Sequence, residues 1–204
     1  MRTSRLVGGA LCALMLVGVS QVVAGEVYEG AEKCKTCHSA AAKGEPYKVW
    51  AKQKHRQAYA SLASDEAKKI GKEKGIDDPQ KSEKCLKCHE TAFGVPAAEK
   101  GKKFDETLGV QCETCHGAGG KHVAARLKEE DEEEGEPKLK DISAKGEITH
   151  LPGPDVCEKC HNKESPTYKP FDYVKFVKEI AHIDPRRKHA ADWIDKLPEE
   201  VKKK

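Results

Sequence analysis

The sequence predicts a mainly α-helical, loop-rich fold with little or no β structure. Apolar residues recur three and four positions apart in several segments, and no segment shows the strict alternation that is typical of a strand. Eight of the nine cysteines lie in a five-residue run, Cys-x-x-Cys-His, that occurs four times. The four runs are Cys34 to His38, Cys85 to His89, Cys112 to His116 and Cys157 to His161.

The Cys-x-x-Cys-His run is the attachment signal of a c-type haem. Its two thiols can add to the two vinyl groups of one porphyrin edge, and the next residue supplies the proximal iron ligand. We therefore predict four covalently bound haems. The attachment residues are Cys34 with Cys37, Cys85 with Cys88, Cys112 with Cys115, and Cys157 with Cys160, and the proximal ligands are His38, His89, His116 and His161.

Other cysteine chemistries fit the four runs less well. Zinc binds paired cysteines but requires no histidine directly after each second cysteine. A thioredoxin-like centre would use one pair, and a disulfide scaffold is a further alternative in an exported protein. The repeated trailing histidine favours haem attachment.

The composition suggests that side chains alone would form a thin core. Aromatic residues make up 5% of the chain and charged residues 35%. Four haems would form the core instead, so we expect folding to depend on their attachment. Their propionates would also make the loaded protein acidic, so the slightly basic sequence does not indicate nucleic-acid binding.

Residues 1–24 have the pattern of a signal peptide that is removed on export. Arg2 and Arg5 precede the apolar run Leu6 to Val19, and Ala24 suits a cleavage site. A retained membrane anchor is the alternative, although the run is short and interrupted by glycines. Residues 25–204 are then predicted to form a single tetrahaem domain in the periplasm, or at the extracellular surface, with no other segment able to span a bilayer.

The stretch from Gly109 to His122 organises the chain in this interpretation. His122 follows the third run after a glycine-rich step and has no local packing role. His55 lies on an apolar stripe, with Ala58 and Leu62, of a helix that Pro46 begins. In a chain whose core is haem, an inward imidazole is a candidate iron ligand.

Two capping residues predict further helices. Ser64 can cap a helix from Asp65 to Lys74, and Asp172 can cap one that ends at His182. Residues 25–33 are predicted to be a short, exposed lead-in to the first run.

The order of these features resembles the tetrahaem cytochrome c-554 family. Trp50 and His55 follow the first run, Phe93-Gly94 follows the second, Gly109-Val110-Gln111 precedes the third, and Phe171-Asp172 opens the late helix. The resemblance implies a loop-rich multihaem cytochrome fold and three haems with two histidine ligands each. The implied distal ligands are His122 opposite His38, His182 opposite His116, and His55 opposite His161.

The haem of His89 has no sixth protein ligand in that family. Here His150 or His189 could close it, and His150 is preferred. The alternative role of both is that of a surface or propionate-contacting histidine.

A haem with two imidazole ligands has no open position and suits electron transfer. We therefore expect a periplasmic electron carrier, not an enzyme, that exists as a monomer or weak oligomer. Its partners would be an upstream oxidoreductase, which is hydroxylamine oxidoreductase in the family that the chain resembles, and a downstream cytochrome or quinone-linked acceptor. The alternatives are a redox enzyme that acts on nitric oxide or another small nitrogen compound at an open His89 haem, and a subunit of an extracellular haem filament.

Overall fold

The computed structural model describes residues 27–130, 145–185, 194–195 and 197–202, and the predicted signal peptide lies outside them. The α-helices of this part are α1 (Ala31–His38), α2 (Pro46–Ala51), α3 (Ala58–Ser61), α4 (Asp65–Glu73), α5 (Glu83–His89), α6 (Cys112–His116), α7 (Gly120–Glu130), α8 (Pro154–Glu158), α9 (Tyr173–Ile180) and α10 (Glu199–Lys202). Short 3₁₀ helices cover Ala41–Lys43, Lys54–Gln57, Pro79–Lys81, Ala97–Glu99 and Glu106–Leu108.

β structure is nearly absent from the described residues. Tyr28 and Lys100 form an isolated parallel bridge, and these ranges contain no longer strand. The predicted mainly helical, loop-rich fold is therefore confirmed. Within the same ranges, none of the helices has the length and apolar character needed to cross a bilayer.

Both predicted helix caps are present. The Ser64 hydroxyl accepts a hydrogen bond from the Ala67 N–H at 3.1 Å, and Asp172 Oδ1 accepts one from the Lys175 N–H at 2.9 Å. The predicted end of the late helix at His182 is wrong, because α9 ends at Ile180.

The early end of α9 follows from a contact with another part of the chain. The Gln53 side chain donates a hydrogen bond to the Glu179 carbonyl at 3.0 Å, so one of the last four carbonyls of α9 is satisfied from outside the helix. The backbone at Ala181 is extended and carries His182 away from the helix axis.

The continuous helix predicted from Pro46 to Leu62 is also wrong. The structure divides it into α2, a 3₁₀ turn and α3. The reason is a crossing with Val110: the Trp50 indole donates to the Val110 carbonyl at 2.8 Å, and the Val110 N–H donates to the His55 carbonyl at 3.0 Å. The His55 carbonyl is thus used by a tertiary contact at the break.

The buried carboxylate of Glu113, inside the third Cys-x-x-Cys-His run, holds the segment before α1. Its Oε1 accepts from the N–H groups of Glu29 at 2.8 Å and Gly119 at 2.7 Å, and its Oε2 accepts from that of Gly30 at 2.8 Å. Burial raises the pKa of the Glu113 carboxyl above its ordinary value, while the three N–H donors act in the opposite direction.

The prediction that the lead-in to the first run is exposed is therefore wrong. The Gln111 side chain accepts a hydrogen bond from the Ala31 N–H at 2.8 Å, and Ala31 is completely buried. Ala31 packs with Trp50 and Leu108 in a small apolar cluster. Segment 29–31, α2 and the third run thus meet in one place.

Replacing Glu113 by glutamine should lower the urea midpoint of unfolding. Glutamine keeps the shape, but its amide NH₂ must face at least one of the three N–H donors. Leaving a buried donor without its acceptor costs about 1–3 kcal/mol. The midpoint can be measured by circular dichroism on the purified protein.

The matched control is Glu66→Gln, which removes the same charge from an exposed position of α4. Equal midpoints for the two variants would contradict the anchoring role of Glu113.

Candidate haem sites

Each Cys-x-x-Cys-His run lies in or next to a short helix. The first three runs lie in α1, α5 and α6, and the fourth spans the end of α8 and the following turn. Cysteines three positions apart on a helix share one face, so both thiols of a run can reach the same edge of a ligand. All eight cysteines of the runs are free thiols, in contrast to the disulfide scaffold considered above.

The first and third runs are in direct contact. Contact with the Cys112 thiol, together with burial, raises the pKa of the Cys34 thiol well above its ordinary value. The same contact lowers the pKa of Cys112. Helices α1 and α6 pack against each other here, so the attachment points of two haems would be adjacent.

Neighbouring thiols also link the third run to the fourth, and the fourth run to the second. Burial and the nearby Cys157 raise the pKa of the Cys115 thiol to about 11. Burial and the neighbouring Cys88 raise that of Cys160 to about 12. Neighbouring thiols therefore link the first run to the third, the third to the fourth and the fourth to the second, which differs from the order of the runs in the chain.

Three of the four histidines in the runs face a histidine from a distant part of the chain. In each pair the ring centres are about the same distance apart. The pairs are His38 with His122 at 6.1 Å, His55 with His161 at 6.0 Å, and His116 with His182 at 5.8 Å.

These distances test whether the residues fit a haem. Two metal–nitrogen bonds of about 2 Å each, with about 1 Å from each nitrogen to its ring centre, separate two axial imidazoles by about 6 Å. The three pairs match this separation, and two thiols lie beside the proximal member of each. The donor set therefore fits an iron porphyrin with two histidine ligands.

Hydrogen bonds from Nδ1 orient several of these rings. His116 Nδ1 lies 2.6 Å from the Thr149 carbonyl, and His182 Nδ1 lies 3.3 Å from the Ile180 carbonyl. A carbonyl can only accept, so Nδ1 carries the proton and Nε2 keeps its lone pair for a metal. Thr149 also donates its N–H to the His116 carbonyl at 2.8 Å.

Burial keeps five of the six paired rings in the neutral form that binds metal. Burial and the neighbouring His122 lower the pKa of His38 to about 4. Burial also lowers the pKa of the imidazole below its ordinary value at His55, His116, His161 and His182. These imidazoles are neutral at pH 7 without further help from a ligand.

His89, the histidine of the second run, has a different environment. Its Nδ1 lies 2.8 Å from the Ala58 carbonyl, which again leaves Nε2 for a metal. Within the described ranges, no second imidazole ring stands opposite it as in the other three pairs. Thr149 places the chain before His150 beside the third run, and His189 lies outside the described residues.

Sequence reasoning missed two residues at these sites. Glu147 is 6% exposed, and its Oε2 lies 3.4 Å from His122 Nδ1. Arg126 Nη2 lies 3.2 Å from both oxygens of the same carboxylate. A glutamate in a polar loop carries no sequence signal for such a contact. The spacing of His122 and Arg126 on one face of α7 is the only hint.

Two sequence comparisons match this chain to known cytochromes. Residues 33–117 match the family described as cytochrome c554 and c-prime. Over 190 residues the chain is 31% identical to cytochrome c-554 of Nitrosomonas europaea, and the alignment covers 85% of this chain and 75% of that protein. No solved structure gives a significant match.

This family indicates haem c as the cofactor and electron transfer as the role. The resemblance inferred from the order of the runs is confirmed by the match over most of the chain. The chain belongs to the cytochrome c-554 family.

Proposed function

We propose that this protein is a periplasmic tetrahaem cytochrome that carries electrons between redox proteins, with two histidine ligands on three of its haems. The observation that carries the proposal is the pairing of three histidines of the runs with His55, His122 and His182 at ring separations of 5.8–6.1 Å. Each pair combines a local and a distant residue, so these contacts exist only in the folded chain.

The bound haems supply reversible one-electron oxidation and reduction of iron. The chain's own contribution would be to supply two imidazoles to each of three haems from positions that the fold fixes. The Thr149 and Ile180 carbonyls hold the protons on Nδ1 of His116 and His182, and so fix the tautomer that would bind iron through Nε2. Iron held by two imidazoles would have no position left for a substrate.

The series of runs supports a carrier rather than four separate sites. Cys34 adjoins Cys112, and Cys88 adjoins Cys160. Cofactors attached at these thiols would be neighbours, with an entry at one end of the series and an exit at the other. We propose an oxidoreductase as electron donor and a cytochrome or quinone-linked protein as acceptor.

Export and a monomeric or weakly oligomeric state are also part of the proposal. The leader pattern of residues 1–24 and the need for reduced thiols during attachment both favour the periplasm. An extracellular location remains the alternative.

The environment of His89 supports a second candidate function. A haem held there by His89 alone would have an open iron position, and could bind nitric oxide or another small nitrogen compound. The Ala58 carbonyl holds the proton on His89 Nδ1, which leaves Nε2 available for iron. His150 is proposed as the ligand that would close this position and restore a pure carrier.

Mass spectrometry and electron paramagnetic resonance test the carrier proposal together. We expect four haem masses on the exported chain and low-spin signals from three haems with two histidine ligands each. The fourth haem then decides between the candidates: a high-spin signal that shifts on addition of nitric oxide favours the open site, and a fully low-spin spectrum favours the pure carrier. A colourless, folded protein would contradict both.

A glycine next to His182 offers a second test. A Cβ at Gly44 would overlap the Ile183 carbonyl oxygen, so Gly44→Ala must displace the residue after His182. We expect this variant to lose the distal ligand on the haem of His116 in part of the molecules, seen as a new high-spin signal.

The matched control is Gly75→Ala. Both glycines have positive φ, 79° and 67°, so both variants bear a similar backbone cost of about 1–2 kcal/mol. A Cβ at Gly75 meets no atom within 4 Å. If Gly44→Ala and Gly75→Ala give the same electron paramagnetic resonance spectrum, the result argues against His182 as a ligand.

A further inference from the structure

We propose that Glu147 is a positioning residue that lowers the reduction potential of the haem between His38 and His122, by accepting a hydrogen bond from His122. This inference rests on the proposed function, because it requires a haem between these two histidines. It adds a residue from outside the Cys-x-x-Cys-His runs and their histidine pairs.

The geometry places the two nitrogens of His122 in different environments. Glu147 Oε2 lies 3.4 Å from Nδ1, and the ring faces His38 with their centres 6.1 Å apart. If Nε2 binds iron, Nδ1 carries the proton and donates a hydrogen bond to the carboxylate.

Arg126 holds the carboxylate in this position. Its Nη2 lies 3.2 Å from both oxygens of Glu147, in an ion pair whose side chains are 17% and 6% exposed. His122 and Arg126 are four residues apart on α7, so one helix face supplies both contacts. Water screens this cluster weakly, and the electrostatic effect of the carboxylate on the imidazole is therefore larger than at the surface.

A charged acceptor affects an iron ligand more strongly than a neutral one. A carboxylate that accepts the Nδ1 proton increases the electron density of the imidazole, which stabilises ferric over ferrous iron. The Nδ1 partners of His89, His116 and His182 are backbone carbonyls, at 2.8, 2.6 and 3.3 Å. Among these four contacts only that of His122 has a carboxylate as acceptor. Arg126 offsets part of the carboxylate charge, and the remaining electron donation through the hydrogen bond should shift this haem to lower potential.

Two variants separate the hydrogen bond from the charge. Glu147→Gln keeps the length of the side chain and removes the charge. Glu147→Asp keeps the charge and withdraws it from His122 by one methylene. If the carboxylate acts through the hydrogen bond, both variants should raise the midpoint potential of this haem. A tenfold shift of the one-electron equilibrium corresponds to about 59 mV.

The readout is a redox titration of the purified four-haem protein followed by electron paramagnetic resonance. The rings of His38 and His122 are inclined by 32°, against 79° and 64° in the other two pairs, which makes the low-spin signal of this haem separable. The net-charge control is Glu66→Gln on the exposed face of α4, for which no shift of this signal is expected.

Three results would overturn the inference alone. The first is an unchanged midpoint potential in both Glu147 variants. The second is a shift of the potential in Glu147→Gln with none in Glu147→Asp, which indicates that the charge acts through space. The third is loss of the low-spin signal, which indicates a purely structural role. Fewer than four haems on the wild-type chain would instead overturn the proposed function and this inference together.

Discussion

The two hydrogen bonds that Val110 makes with Trp50 and His55, at the break between α2 and α3, are the contacts on which the rest of the fold depends. Val110 accepts a hydrogen bond from the Trp50 indole and donates one to the His55 carbonyl. A Cβ at the preceding Gly109 would lie 2.8 Å from the same carbonyl, so only glycine allows this approach. The position of His55 is therefore set by the residues that lead into the third Cys-x-x-Cys-His run, and not by its own helix.

Backbone carbonyls orient three other histidines. The carbonyls of Thr149 and Ala58, from elsewhere in the fold, orient His116 and His89. The carbonyl of Ile180, the last residue of α9, orients His182. Backbone carbonyls suit this role because their position is fixed by the fold and they cannot donate. The chain thus selects Nε2 as the free nitrogen at sites that are far apart in sequence.

Local patterns in the sequence were sufficient for the runs and the capped helices. The two thiols and the histidine of a run lie within five residues, and Ser64 and Asp172 cap helices that begin at the next residue. Tertiary contacts were not predictable in this way. Trp50 and Val110 are 60 residues apart, and Glu147 is 25 residues from His122 in a loop without a pattern. His55 and His122 were candidate ligands from their sequence positions, but His182 and the pairing of each distal histidine with a run came from resemblance to a family, which already contains the long-range information.

The apolar periodicity of the helices is weak in the sequence for a physical reason that also affects folding. Helix α6 has five residues and α8 has five, far below the length at which an isolated helix is stable in water. In the described residues the buried apolar cluster is Ala31, Trp50 and Leu108, while Leu127 and Leu151 are about half exposed. A chain of this size normally buries about 70% of the surface that its unfolded form exposes, so a larger apolar core would be expected. If porphyrins fill the spaces between the paired histidines, the helix faces next to them need not be apolar at regular spacing. Helix formation, histidine pairing and haem attachment would then be a single coupled process, in which none is stable without the others.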